Sequence, residues 1–212
     1  MIASDETVRQ AAKHLADHDL LLAPVIARYG LCTIRPHNGY YQALVSSIVS
    51  QQLSVKAAST IKARFCTLFG SDEMPAPEQI LTKSIDELRS SGLSRGKALY
   101  VRDLAQHVVD GKITFDRLDD LTNEKIIAEL TAVKGIGEWT VHMFLMFCMG
   151  RLDVLPHGDL GIKNGIKALY SLDHQPTAQD VIMIANIHQW HPYESIAAWY
   201  VWRTLDNEPT IS

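Results

Sequence analysis

A chain of 212 residues that is 47% hydrophobic and 21% charged has room for a sizeable core, which excludes a disordered tail and a small disulfide-stapled scaffold. Its formal net charge of -4 speaks against a protein that grips nucleic acid through bulk positive charge. Cys32, Cys66 and Cys148 are odd in number and show no C-x-x-C spacing, so free buried thiols in a reduced, intracellular setting are expected, with no ligand set for a cysteine-held cluster.

In chain order, "MIASDETVRQAAKHLADHD" is acidic and amphipathic. It lacks the apolar centre of a signal peptide, and no apolar run reaches the roughly 18 residues of a spanning helix, so a soluble protein with no membrane partner is expected. After the break "RPHNG" at 35 to 39, Leu44 and Ile48, then Ile61, Phe65 and Leu68, recur at helical spacing on either side of an interruption near Leu53. Ser54 is placed to cap the second of these helices. A loop at 69 to 79 follows, then Ser84 and Glu87 in the S-x-x-E arrangement that starts a helix, then a glycine-marked turn at 91 to 97. "ELTAVKGIGEWTVHMF" reads as helix, tight turn, helix, and its apolar character continues to residue 149. "LPHGDLG" at 155 to 161 is a loop whose Asp159 can cap the helix "LGIKNGIKALY", and Thr177 with Asp180 offers a T-x-x-D start for the helix after it. No alternating run bounded by hairpin turns and no internal repeat is present, so the fold class is all-α with about ten helices.

The turn "KGIG" carries chemistry of its own. Gly135 and Gly137 permit backbone angles that a Cβ would oppose, and Ile136 between them can anchor the turn in the core. N–H groups from about 136 to 140, Thr140 among them, would then face outward at the start of the second helix, a site for a phosphate to which Lys134 adds a charge. Because backbone amides supply the binding, the protein need not be basic. A bare G-x-G between helices is equally an ordinary corner, and Asp159 is equally a simple cap.

The two together say more. "LTAVKGIGEWTVHMFLMF" followed by "DVLPHGDLGI" resembles the helix-hairpin-helix (HhH-GPD) DNA glycosylase superfamily, whose hairpin precedes a Gly/Pro-rich loop and a catalytic aspartate. "SIVSQQLSVKAA", "GLSRGKALYVRDLA" and "WHPYESIAAWYVWR" extend the resemblance over residues 40 to 203 and point to the 3-methyladenine DNA glycosylase II branch, in a minimal form without an extra N-terminal sheet domain. The resemblance implies a two-lobed fold with an active-site cleft between the lobes. Residues 38–150 would form a central lobe ending in the hairpin, and 1–37 plus 151–212 a second lobe carrying the catalytic loop.

It also implies roles. Asp159 is the catalytic carboxylate. Trp139 and Trp202 line the base pocket, with core packing as the other reading of each, and Met143 and Leu160 stand where the longer enzyme has pocket tyrosines. Lys134, Gly135, Ile136, Gly137 and Thr140 hold the DNA backbone. Gln52 is the wedge that fills the vacated space in the duplex, with Gln51 and Leu53 as neighbours able to share that task. The hairpin carbonyls near Val133 and Ile136 would take a monovalent cation, Na+ or K+. No catalytic metal and no cofactor is expected, since His157, His188 and His191 lack ligand spacing with carboxylates. Glu194 departs from the arginine usual in relatives.

Bifunctional relatives form an imine through a lysine on the second hairpin helix, and that position is Trp139 here, which cannot do so. The expected function is therefore monofunctional, hydrolytic excision of alkylated bases such as 3-methyladenine and 7-methylguanine from double-stranded DNA by a monomer. Such a protein would sit in the cytoplasm or nucleoid of a bacterium or archaeon, or in the nucleus of a eukaryote. The competing expectations are a glycosylase for deaminated, oxidised or mismatched bases and a damaged-DNA-binding module without catalysis.

Overall fold

The computed structural model describes residues 4–37 and 39–205. Twelve α-helices occur among them: α1 (Asp5–His18), α2 (Ala23–Tyr29), α3 (Tyr40–Ser50), α4 (Val55–Thr67), α5 (Pro77–Leu81), α6 (Ile85–Ser90), α7 (Arg95–Val109), α8 (Asn123–Thr131), α9 (Glu138–Met143), α10 (Leu160–Leu169), α11 (Ala178–Ile187) and α12 (Glu194–Arg203). A 3-10 turn spans Phe115–Asp120 and a π turn Phe144–Cys148, and no strand is found among the described residues. The expected capping chemistry starts α6, where Ser84 N–H donates to Glu87 Oε2 at 2.8 Å and Glu87 N–H to Ser84 Oγ at 3.2 Å. Thr177 and Asp180 form the same reciprocal pair ahead of α11, and Ser54 Oγ accepts from Ala57 N–H ahead of α4.

The described residues fall into two compact units, one from Gly39–Phe144 and the other from the segments Met1–Asn38 and Leu145–Thr210. The second change of unit falls at Phe144, within the apolar run and ahead of the loop at 150 to 158. Asn38, at the first expected boundary, lies outside the described residues, as do residues 1–3 and 206–212.

In the Gly39–Phe144 unit, α7 packs against α3, α5 and α6, α3 against α4, and α8 against α9. Leu44, Ile48, Phe65, Ile80, Leu88, Val101, Leu104, Ile126 and Leu130 are fully buried and make its core.

The other unit is built around α12, whose residues from Ser195 to Trp202 are all buried against α1, α2 and α10. Gly165 lets α10 and α12 meet, since a Cβ there would come within 2.6 Å of Val201 O. The fully buried Asp19 carboxylate gathers this unit. Its Oδ1 accepts from Leu21 and Leu22 N–H at 3.1 and 3.0 Å, and its Oδ2 from Trp190 Nε1 at 2.9 Å and from the Tyr170 hydroxyl. Burial, reinforced by Asp19, raises the Tyr170 pKa far above the ordinary tyrosine range, so that hydroxyl remains a donor.

A carboxylate with four donors is stable when buried, whereas orphaned donors each keep their desolvation penalty. Asp19→Ala should therefore lower unfolding stability by about 3 kcal/mol or more, read by chemical denaturation, whereas Tyr170→Phe, which removes one donor of four, should cost about 2 kcal/mol.

Candidate nucleic-acid interface and catalytic carboxylate

The hairpin lies within the Gly39–Phe144 unit. α8 begins at the Thr122 cap and its chain leaves through Ala132 into the turn, where Ile136 N–H donates to Val133 O at 3.1 Å. Val133 and Ile136 are buried, so the turn is anchored as expected. The two glycines have different reasons. Gly135 has φ +84, and a Cβ on it would sit 2.1 Å from the Tyr100 ring. Gly137 has φ -94 and ψ 167, ordinary extended angles, with nothing within 4 Å of a notional Cβ. Its contribution is open space at the head of α9 and not conformational freedom, which corrects the expectation for that position.

One of the expected backbone contacts changes. The Ile136 amide is engaged with Val133 O, so it belongs to the turn itself and not to a phosphate site. Thr140 is buried, which leaves its main chain and not its hydroxyl for a ligand. Lys134 is exposed beside the turn, and its own N–H donates to Asp103 Oδ2 at 2.9 Å. The first turn of a helix has no intrahelical acceptors for its N–H groups, so the stretch from Gly137 onward retains the character of an anion site.

Trp139, in the first turn of α9, is 51% exposed, so core packing does not account for it. Met143, one turn on, is buried. α9 then gives way directly to the π turn, within the apolar run.

The loop joining α3 to α4 carries the expected wedge residues. Gln52 is exposed and has φ 58, a left-handed conformation that costs a residue with a side chain. Leu53 beside it is partly exposed, and its N–H donates to Ser50 O at 3.1 Å. Gln51 does not share their freedom: its Nε2 donates to Gly135 O at 2.8 Å, which makes it a tie to the hairpin and corrects its reading as part of the wedge.

In the other unit, the loop before α10 turns through Asp159 N–H donating to Pro156 O at 2.9 Å. Asp159 is the N-cap of α10, and its Oδ1 accepts from Ile162 N–H at 2.7 Å. The same oxygen accepts from Trp202 Nε1 at 2.9 Å. Trp202 is only 5% exposed and stacks on Phe147 with ring centroids 5.9 Å apart, so its indole is held from below while its N–H aims at the carboxylate. This hydrogen bond was not legible in the sequence, where Trp202 reads as a pocket wall or as core. Gly161 makes it possible: a Cβ there would lie 2.9 Å from Trp202 Nε1 and 3.0 Å from Asp159 Oδ1. Two donors on one carboxylate oxygen, at the positive end of a helix, suit a fixed anion. Leu160, next in line, is 66% exposed.

Glu194 opens α12, where a carboxylate favours the helix N-terminus, and its Oε1 pairs with His191 Nδ1 at 2.9 Å. The three cysteines are free and buried, with burial raising Cys32 to about 11 and Cys148 to about 12.

The HhH-GPD superfamily of base excision DNA repair proteins matches residues 45–187. The chain belongs to that superfamily. It is 30% identical to the alkylbase DNA glycosidase-like protein mag2 of Schizosaccharomyces pombe over 95% of its own length and 96% of that protein's. Among solved structures it resembles a DNA-3-methyladenine glycosidase of Bacillus halodurans, with TM-score 0.83 and 39% identity over 91% of this chain and 88% of that one. The Schizosaccharomyces pombe 3-methyladenine DNA glycosylase, solved in complex with abasic DNA, matches with TM-score 0.79 and 33% identity over 93% and 97% of the two chains.

The difference between the two hairpin glycines is measurable. Gly135→Ala should destabilise the protein by about 2 kcal/mol, since it combines a left-handed angle with a ring collision. Gly137→Ala should cost less than about 1 kcal/mol, the ordinary penalty of alanine at an N-cap. Equal losses in urea denaturation would refute the distinction.

Proposed function

We propose that this protein is a monofunctional DNA glycosylase that turns alkylated bases, 3-methyladenine and 7-methylguanine first among them, out of double-stranded DNA and removes them hydrolytically in base excision repair. The observation that carries the reading is Asp159, an aspartate held through one oxygen by a helix N-terminus and by Trp202 Nε1, in a chain whose relatives are named for this activity.

Breaking the bond between sugar C1′ and base nitrogen sends the electron pair to the departing base and leaves positive charge on the deoxyribose. A fixed carboxylate stabilises that charge, and water then adds at C1′ and loses a proton, giving free base and an abasic site. Alkylation leaves the purine cationic, so the pair of electrons neutralises the leaving group. The exposed indole of Trp139 offers such a cation its π face. Neither Met143 nor Leu160 is aromatic, so selection rests more on the lability of the cationic base.

The reading without lyase chemistry is supported by the residues available: α9, from Glu138 to Met143, contains no lysine, and Trp139 has no amine for an imine. The amides from Gly137 onward, with Lys134, hold a backbone phosphate, and Gln52 with Leu53 fills the gap left by the base. A monovalent cation at the Val133 and Ile136 carbonyls fits as a structural ion of the hairpin, since Val133 O has a second lone pair beyond its bond to Ile136 N–H. Action as a monomer completes the proposal.

The test is release of free bases from DNA treated with a methylating agent. Wild type should release 3-methyladenine, and Asp159→Asn should release none while binding DNA at least as well, because a negative charge near phosphate has been removed. Release by both proteins would take Asp159 out of the chemistry, and release of only uracil or 8-oxoguanine from a lesion panel would overturn the substrate class. Borohydride added during turnover should trap no protein–DNA adduct, and a trapped adduct would contradict the monofunctional assignment.

A further inference from the structure

Three side chains on one face of α7, Lys97, Tyr100 and Asp103, have no part in the chemistry proposed above, yet each touches an element that does. Lys97 Nζ donates to Val49 O and Gln51 O, both at 2.7 Å, closing the carbonyls left open at the C-terminal end of α3. Gln51 passes the connection on through its own Nε2 to Gly135 O in the hairpin turn. Tyr100 fills the space beside Gly135 that a Cβ would occupy, and Asp103 Oδ2 accepts the Lys134 N–H at 2.9 Å. Between these ties sits Gln52 at φ 58, a strained angle that persists only where the surroundings over-determine it. Desolvation lowers the Lys97 pKa, in keeping with an ammonium drawn partly out of water to serve backbone oxygens.

We propose that Lys97 is a positioning residue for base extrusion: it fastens the Gln52 turn to α7, the helix that braces the hairpin turn through Tyr100 and Asp103, so that one rigid element delivers both gap filling and phosphate holding. The inference rests on the glycosylase reading above. Without Lys97 the Gln52 turn has to be ordered when DNA binds, and that ordering cost is subtracted from the stability of the extruded state. The cost matters most where the lesion is well stacked and paired. A base that already lacks an opposing partner leaves the duplex readily and needs the wedge less.

Lys97→Met and Lys97→Arg in the full chain test this by single-turnover release of 7-methylguanine from two duplexes, one with cytosine opposite the lesion and one with an abasic site opposite. Lys97→Met should be slower than wild type by about tenfold or more on the first duplex, the effect of losing a charge-assisted hydrogen bond. It should stay close to wild type on the second. Lys97→Arg, which keeps donors for both carbonyls, should recover most of the rate. Equal slowing on both duplexes would reduce Lys97 to a stabilising residue and overturn the inference, as would no slowing on either. If wild type releases no methylated base from any duplex, the glycosylase reading fails separately. The coupling is then judged by amide exchange at Leu53 and by affinity for abasic-site duplex: Lys97→Met should speed the exchange and weaken the binding, and unchanged values for both would overturn it.

Discussion

Asp159 Oδ1 is the point on which the proposed chemistry turns. Two donors reach it from different directions, Ile162 N–H from the start of α10 and Trp202 Nε1 from the end of α12. A carboxylate on a loop has two free torsions, and electrostatic stabilisation of a developing sugar cation needs both settled before the reaction begins. The packing of α10 on α12 settles them. Gly165 allows the helices to approach, Gly161 leaves room for the indole N–H, and Phe147 supports the indole from its face. The Asp19 cluster has a parallel logic in the same unit, where a buried anion collects donors from separate elements, but that carboxylate is itself fully buried and its role is structural.

In the proposed reading, the Gly39–Phe144 unit solves a different problem, that of holding an anionic polymer with a chain of net charge -4. Backbone amides at a helix start supply local positive potential without adding lysines, and the turn that presents them is fixed by Ile136 inside and Tyr100 outside. The left-handed Gln52 sits on a loop tied to that turn through Gln51 and to α7 through Lys97. Rigidity here has a functional reading: contacts that need no ordering on binding give up less of their energy.

Much of this was legible in the sequence wherever the signal is local. Caps at Ser54, Ser84, Thr177 and Asp159 depend on residues three apart, and the helices they start are where the pattern places them. The hairpin's buried Ile136 follows from an apolar residue between two glycines. What escaped depends on distance in the chain or on backbone detail. Trp202 is 43 residues from Asp159, and its indole N–H has no periodic signature. Lys97, Tyr100 and Asp103 share a helix face that looks solvated on spacing alone, because polar residues there bond to backbone atoms of other elements. Gly135 and Gly137 are indistinguishable as letters, yet only one has a positive φ. The π turn at Phe144–Cys148 interrupts a run whose uniform hydrophobicity contains no breaker.

The central claim is that the Trp202 hydrogen bond orients the Asp159 carboxylate for cleavage. Trp202→Phe tests it, since phenylalanine keeps an aromatic ring against Phe147 while removing the donor and part of the indole's volume. Single-turnover excision of 3-methyladenine should slow by about tenfold to a hundredfold, the range for a lost hydrogen bond to a charged group, with affinity for lesion duplex unchanged. An unaltered rate with unaltered affinity would contradict the account and return Trp202 to a packing role.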